Sequence, residues 1–199
     1  MARIALDIDS TLHHYWDLLD QVSRRRYGVE LPYDAQLQWG ITELEHEQLV
    51  ECVQETHSDE NILAAEPYDG AVEAVRAWHE AGHWIHVTSH RREGTRAATE
   101  RWLEQIGMPC DDLHCSFDKV SRCVELGIDV LVDDSPVNLA RARDEGITAA
   151  TIIHPWNADL IDSDTGSGTP SGAQAGGVVG GKDWPELAER LEPVLARLA

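Results

Sequence analysis

The chain has 199 residues, 36 acidic side chains against 16 basic ones, a formal net charge of −20 and a hydrophobic fraction of 42%. That length suits one domain, or a core with a small insertion, and that apolar content is enough for a real core. The acidity disfavours a general nucleic-acid or anionic-membrane binder, because a phosphate backbone demands a basic footprint, but it leaves room for a small phosphorylated substrate handled with a divalent cation.

In chain order, the first apolar run, Ile4–Asp9, reads as a buried strand ending in acid. Residues 13–67 follow, with charged helical stretches such as "HHYWDLLDQVSRRRYG" and "ITELEHEQLVECVQETH". This span is too long for a loop and reads as a small helical cap. A helix then starts at Asp69 and stops near Gly82, leading into a strand at Trp84–Ser89. The next helix places Ala98, Trp102 and Ile106 on one face and stops at Gly107, before a strand at Leu113–Phe117. Lys119 opens another helix, and "DVLVDD" supplies the strand Asp129–Asp133. A continuously apolar run of this kind marks a parallel strand covered on both faces. Ser135 as N-cap and Pro136 at the first helical position start a helix that ends at Gly146, and the strand Ala149–His154 follows. Residues 162–182, rich in Gly and Ser without periodicity, read as a flexible surface loop. The final helix puts Leu187, Leu191, Val194 and Leu198 on one face, with a kink expected at Pro193.

Strand–helix alternation of this kind predicts an α/β fold, a doubly wound, Rossmann-like parallel sheet of five strands. The core spans residues 1–12 and 68–199, and the helical cap, inserted after the first strand, spans 13–67. The four cysteines, Cys52, Cys110, Cys115 and Cys123, form no C-x-x-C pair, and with His114 they fit no zinc spacing. They read as free thiols in a reducing compartment. No run approaches about 18 apolar residues, so no membrane span is expected. No signal peptide is visible, and a cytoplasmic location is expected. The oligomeric state stays open.

In open α/β sheets ligands sit beyond the carboxyl ends of the strands. Gathered there are Asp7, Asp9, Ser10 and Thr11 after the first strand, and Thr88, Ser89, His90, Arg91 and Arg92 at the end of the second. Lys119 follows the third strand, and Asp133 and Asp134 end the fourth. Four carboxylates in one cleft repel one another unless a hard cation intervenes, and an all-oxygen set suits Mg²⁺. A phosphate beside that cation needs further donors, which Thr88 and Lys119 can supply. One carboxylate can attack phosphorus and another can move the proton. Taken singly, each residue has an ordinary reading: an acid at a strand end as a turn cap, Lys119 as a surface lysine, and His13, His14 and His90 as packing or surface histidines. Trp16 and Trp39, in the cap, are placed to stack on a ring or simply to pack.

The ordered set "DIDST", "HVTSHR", "DK" and "DVLVDDSP" resembles the four motifs of the haloacid dehalogenase-like superfamily, and the 13–67 insertion resembles the helical cap of one of its subclasses. The resemblance implies a phosphohydrolase with Mg²⁺ as cofactor. It implies Asp7 as nucleophile and metal ligand, and Asp9 as general acid/base with its backbone carbonyl on the metal. It further implies Thr88 and Lys119 as phosphoryl and charge partners, Asp133 as the direct metal ligand and Asp134 as an outer one. Ser10 stands where many relatives have glycine. Ser10, Thr11, His13, His14, Ser89, His90 and Arg91 are the candidates for substrate contact. An acid two residues after the nucleophile argues for phosphate-ester hydrolysis over dehalogenation. A response-regulator receiver would want adjacent acids after the first strand, which this chain lacks. The small cap, "HPWN" at 154–157 and "DWPEL" at 183–187 resemble the 5′(3′)-deoxyribonucleotidase-like branch, which implies a (deoxy)nucleoside monophosphate. The alternatives are a sugar-phosphate or other small-metabolite phosphatase, a polynucleotide 3′-phosphatase, and a non-catalytic domain that binds phosphorylated ligands.

Overall fold

The structure is a computed structural model and describes residues 1–116, 118–161 and 177–198. Strand β1 (Arg3–Leu6) is followed by helices α1 (Tyr15–Tyr27), α2 (His46–Thr56) and α3 (Asp59–Ala64). Next come α4 (Ala71–Glu80), β2 (Trp84–Ser89), α5 (Arg96–Ile106), β3 (Asp112–Cys115), α6 (Lys119–Leu126) and β4 (Val130–Val132). The chain closes with α7 (Pro136–Asp144), β5 (Thr148–Ile152), β6 (Val179–Gly181) and α8 (Trp184–Leu198). The strands form one sheet in the order β3-β2-β1-β4-β5-β6, and every neighbouring pair is parallel.

Alternation along the strands builds two apolar layers. Ile4 and Leu6 join Val75, Trp78, Trp102, Leu187 and Leu191 on the side covered by α4, α5 and α8. Ala5 and Leu131 join Val120, Cys123, Leu139 and Ala142 under α6 and α7. Helices therefore cover both faces, as a parallel sheet requires.

Two expectations need correction. The sheet has six strands, not five, because the segment read as a Gly/Ser loop contains β6. Residues 162–176 of that segment lie outside the described residues, but Val179–Gly181 pairs in register with Ala150–Ile152. Glycine there allows close packing rather than flexibility: a Cβ on Gly181 would lie 2.5 Å from Leu187 N and 2.7 Å from Leu187 Cα in α8. The first strand also ends earlier than expected. Leu6 is its last residue, and Asp7–Leu12 turn tightly, with Leu12 N donating to Ile8 O at 2.8 Å. The final helix runs through Pro193 without ending there.

Between β1 and α4 the chain forms helices α1, α2 and α3. Helix α1 packs on α2, and Trp16, Leu19, Val22, Leu31, Leu44 and Cys52 form a separate apolar cluster that also takes in Trp156 from the core. The chain enters and leaves the insertion side by side: His13 bridges Pro67, and Tyr68 N donates to Leu12 O at 2.9 Å. All four cysteines are free, three of them buried. Among the described residues no helix is long and apolar enough to cross a membrane.

Candidate active site

Because β1 lies between β2 and β4, the residues just past their ends fall side by side. Leu6 is level with Val87 and with Val132, which sets Asp7 beside Thr88 and Asp133. The peptide after β1 is tied down by Asp7 N donating to Val132 O at 2.8 Å. Lys119 reaches the same spot from the first turn of α6, whose N-cap Asp118 accepts from Ser121 N.

Lys119 Nζ lies 2.6 Å from Asp7 Oδ1 and 3.1 Å from Asp133 Oδ2, and all three side chains are buried. Asp133 is held firmly: its Oδ1 accepts from Ser135 N at 2.9 Å, and Asn138 Nδ2 lies 3.1 Å from each carboxylate oxygen. Ser135 and Pro136 start α7 as expected, and that start presents the Ser135 N–H and the Asn138 amide to Asp133. The hydrogen bonds described at Asp134 go instead to its backbone carbonyl, from Trp156 Nε1 at 3.2 Å and Asn157 Nδ2 at 3.1 Å.

One carboxylate oxygen each from Asp7, Asp133 and Asp134 lies within 4.8 Å of the others. Burial pushes Asp7 up to about 7, with Asp133 and Asp9 adding to the rise and Lys119 opposing it. Burial, with Asp7 and Asp133 nearby, pushes Asp134 well above the usual carboxylate range. Lys119 stays protonated: burial alone would lower it, but Asp133 and Asp7 more than compensate and raise it. One ammonium stands among three buried acids, two of them held toward the protonated form, and such an all-oxygen, acid-rich set is the donor chemistry of a hard divalent cation such as Mg²⁺. The residues present fit such an ion.

Asp9 does not join this group, contrary to the expectation that four carboxylates converge. Its Oδ1 takes Arg91 Nη2 at 2.8 Å and His13 Nε2 at 2.9 Å, and its Oδ2 takes His57 Nε2 at 3.1 Å. Burial opposes ionisation of Asp9, yet the Arg91 guanidinium, with His57 and His13, holds its carboxyl well below the usual carboxylate range. Arg91 is 1% exposed, and its Nη1 donates to Thr99 Oγ1 at 3.3 Å. Thr88 Oγ1 is buried and has no hydrogen-bond partner among the described residues.

A cavity of about 590 Å³ opens above Asp7, between core and cap. Asp7, Asp9, Ser10, Lys119, Asp134 and Ser135 line its floor, and Tyr15, Trp16, Trp39, Leu49, Val53 and Trp156 line its walls. Trp156 stacks on His154 at 4.5 Å and on Trp16 at 5.2 Å. His90 and Arg92 also reach this cavity. Of the other anticipated substrate contacts, Arg91 and His13 are spent on Asp9, and Ser89 Oγ accepts from Arg91 N at 3.2 Å. Thr11 is buried with its carbonyl on Trp184 Nε1, and His14 lines a different cavity beside Tyr68. Sequence reasoning missed His57, which is 48 residues from Asp9 and belongs to no motif. It also missed Asn138 and Trp156, whose roles depend on tertiary neighbours.

The sequence matches no protein-family model and no curated protein. Solved structures do match. A HAD hydrolase of family IA, variant 3, from Entamoeba histolytica superposes with a TM-score of 0.61 at 13% identity, covering 96% of this chain and 100% of that one. A HAD family hydrolase from Deinococcus radiodurans R1, with bound phosphate and sodium, gives 0.61 at 17% identity over 99% of this chain and 96% of its own. This chain shares the fold of these two structures. A D,D-heptose 1,7-bisphosphate phosphatase from B. bronchiseptica, complexed with magnesium and phosphate, gives 0.53 at 15% identity over 100% of both chains. In this chain the acids gather at the carboxyl ends of β1 and β4, where the strand order reverses and where open α/β sheets bind ligands.

Proposed function

We propose that the protein is a Mg²⁺-dependent phosphomonoester hydrolase that works through an aspartyl-phosphate on Asp7, and that its substrate is a small monophosphate such as a (deoxy)nucleoside monophosphate. The observation that carries the reading is the pairing of the Lys119 ammonium, 2.6 Å from the Asp7 carboxylate, with the buried Thr88 hydroxyl on the neighbouring strand, which has no hydrogen-bond partner among the described residues. A carboxylate nucleophile beside a fixed cation and an idle donor is what a phosphoryl group requires.

Asp7 and Asp134, with the Asp9 backbone carbonyl, would hold the ion. Asp133 is already engaged by Lys119, Ser135 and Asn138, so the geometry favours Asp134 over Asp133 as the direct ligand. Once bound, Mg²⁺ supplies Lewis acidity and neutralises the phosphoryl and carboxylate charge. The protein's residues do the rest. Asp7 Oδ forms a bond to phosphorus as the bond to the leaving oxygen breaks, and Asp9 gives that oxygen its proton. Asp9 then takes a proton from water, whose oxygen attacks phosphorus and frees Asp7 and inorganic phosphate. Lys119 and Thr88 hold the phosphoryl oxygens throughout. The incoming phosphate's negative charge raises the Asp9 pKa from its resting state, so Asp9 can carry the proton it must deliver.

The cavity walls bear on the substrate. Trp16, Trp39 and Trp156 offer ring faces, and beyond Lys119 only Arg92 and histidines among the lining residues offer positive charge. Such a site suits a ring-bearing monophosphate better than a bisphosphate or a bare sugar phosphate. A polynucleotide substrate is disfavoured by the net charge of −20. The test is phosphate release from a panel of nucleoside monophosphates and sugar phosphates, with Mg²⁺ and with EDTA. Release from nucleotides that EDTA abolishes supports the reading. Release from sugar phosphates alone keeps the chemistry and overturns the substrate, and no release from any member overturns both.

A further inference from the structure

We propose that His57, at the C-cap of α2, is a positioning residue for Asp9, so that the orientation of the proton-moving carboxylate depends on that side chain. This rests on the phosphatase reading above. The two oxygens of Asp9 are held by different parts of the molecule. Oδ1 takes Arg91 from the loop after β2 and His13, the residue just past the turn after β1. Oδ2 takes His57, and its other contact, Arg91 Nε at 3.5 Å, is at the limit of a hydrogen bond. Rotation of the carboxylate is therefore stopped on the Oδ1 side by Arg91 and His13 and on the Oδ2 side by His57.

His57 sits on a built end, not a fraying one. It is the C-cap of α2, and His57 N donates to Val53 O at 3.1 Å. The turn before it is braced by Thr56 Oγ1 against Tyr15 Oη at 3.0 Å, and by Asn61 Nδ2 donating to Glu55 O at 2.7 Å. The side chains of His57 and Asp9 are 14% and 17% exposed, too covered for the pair to count as a solvated surface contact.

A second cap-to-core bond grips the adjacent residue. His154 Nε2 lies 2.7 Å from the Ser10 carbonyl, so it carries the proton and donates. Its Nδ1 must then accept, and Tyr33 Oη, in the cap, donates to it at 2.7 Å. Ser10 adopts φ 59°, a conformation that a residue with a side chain holds only when its surroundings enforce it. Residues 9 and 10 are thus each tied to the cap, one through its side chain and the other through its carbonyl.

The experiment separates proton transfer from binding and folding. p-Nitrophenyl phosphate needs no proton on its leaving group, whereas an alkyl phosphate does. In rapid-quench kinetics, His57→Ala is expected to leave the p-nitrophenolate burst rate within about twofold of wild type. It is expected to slow the first step on an alkyl phosphate by about 10- to 100-fold, with slower steady-state turnover on both esters. His57→Gln keeps an N–H donor and should recover most of that loss, whereas His57→Leu should not; these two also serve if the alanine variant does not fold. Equal slowing of burst and alkyl reaction, or no slowing of either, overturns the role of His57. A wild-type protein that hydrolyses neither ester overturns the phosphatase reading and this inference with it, and the wild-type measurement alone tells the two failures apart.

Discussion

Lys119 Nζ lies 2.6 Å from Asp7 Oδ1, with neither side chain more than 6% exposed. This is a buried ion pair with a surplus of acid around it, since Asp133 Oδ2 is 3.1 Å from the same ammonium and Asp134 is close by. Removing the ammonium leaves the buried Asp7 and Asp133 carboxylates without their shared cation. Lys119→Met is expected to cost about 3–5 kcal/mol of stability in EDTA, as for other broken buried pairs. Added Mg²⁺ should raise the melting temperature of the variant more than that of wild type, because the ion takes over the missing charge. Phosphatase turnover should fall by about 10²-fold or more, because a fixed charge at the phosphoryl group is lost. Thermal melts with and without Mg²⁺, beside phosphate-release assays, check all three. A variant as stable as wild type in EDTA would count against the charge balance described here.

The acids around this pair were visible in the sequence, and the reason is physical. A single carboxylate at the end of an apolar run reads as a turn cap, but "IALDID" and "VLVDD" together bring several acids to one end of the sheet, and that set stands out. Lys119 alone reads as a surface lysine; its place after the third strand in the ordered motif set, in a chain with one other lysine, singled it out. What stayed hidden depends on tertiary contact. His57 and Asn138 have no local pattern, and only folding brings them to Asp9 and Asp133. Arg91 and His13 were legible as polar groups near the mouth, but not as partners of Asp9, because either could equally have met substrate. The sixth strand was missed for a different reason. Gly180 and Gly181 read as chain flexibility, whereas here their missing side chains let α8 and Ile161 approach.

Trp39 tests the ring-bearing substrate. It is 49% exposed, it lines the cavity, and its ring centroid is 6.3 Å from that of Trp156. Its loop is held from within by Gln36, whose Nε2 donates to Gln38 O and Gly40 O at 2.7 Å each. Trp39→Ala should therefore leave the loop and the melting temperature nearly unchanged. Losing one stacking face is worth about 1–3 kcal/mol, so KM for a nucleoside monophosphate should rise roughly tenfold or more with little change in kcat. KM for a sugar phosphate should not move. A parallel rise for both substrates would remove Trp39 from ring recognition.

Gly181 tests the packing of the late strand. An added Cβ would meet Leu187 N and Cα, backbone atoms of a buried helix that cannot step aside. At Gly180 the nearest atom is Ile161 Cδ1 at 2.7 Å, the flexible end of a side chain. Gly181→Ala should cost about 2–3 kcal/mol and Gly180→Ala distinctly less, read as urea midpoints at constant slope. Equal midpoints would mean that α8 does not lie against β6 as described.

His154 gives the fold a pH dependence of known sign. Burial lowers its pKa to about 4, with nearby His14 acting in the same direction and the Ser10 carbonyl opposing it. The unfolded chain binds that proton with an ordinary histidine pKa of about 6.5, so between about 4 and 6.5 the unfolded state holds more protons than the native one. The stabilisation is therefore complete above about pH 6.5 and is lost as pH falls toward about 4, by up to about 3 kcal/mol in all. His86, lowered by burial to about 4, acts in the same window, so the wild-type slope alone does not isolate His154. His154→Gln cannot titrate and removes only its share. At pH 8 the variant should be the less stable protein, because it loses the 4.5 Å stack on Trp156 and the bond from Tyr33. As the pH drops to 4.5 the gap should close, since wild type loses the extra term and the variant does not. Urea unfolding at pH 8, 6 and 4.5 reads this directly. A gap that stays constant would show that His154 is not held neutral between Tyr33 and Ser10, and the Tyr33 tie between cap and catalytic turn would fail with it.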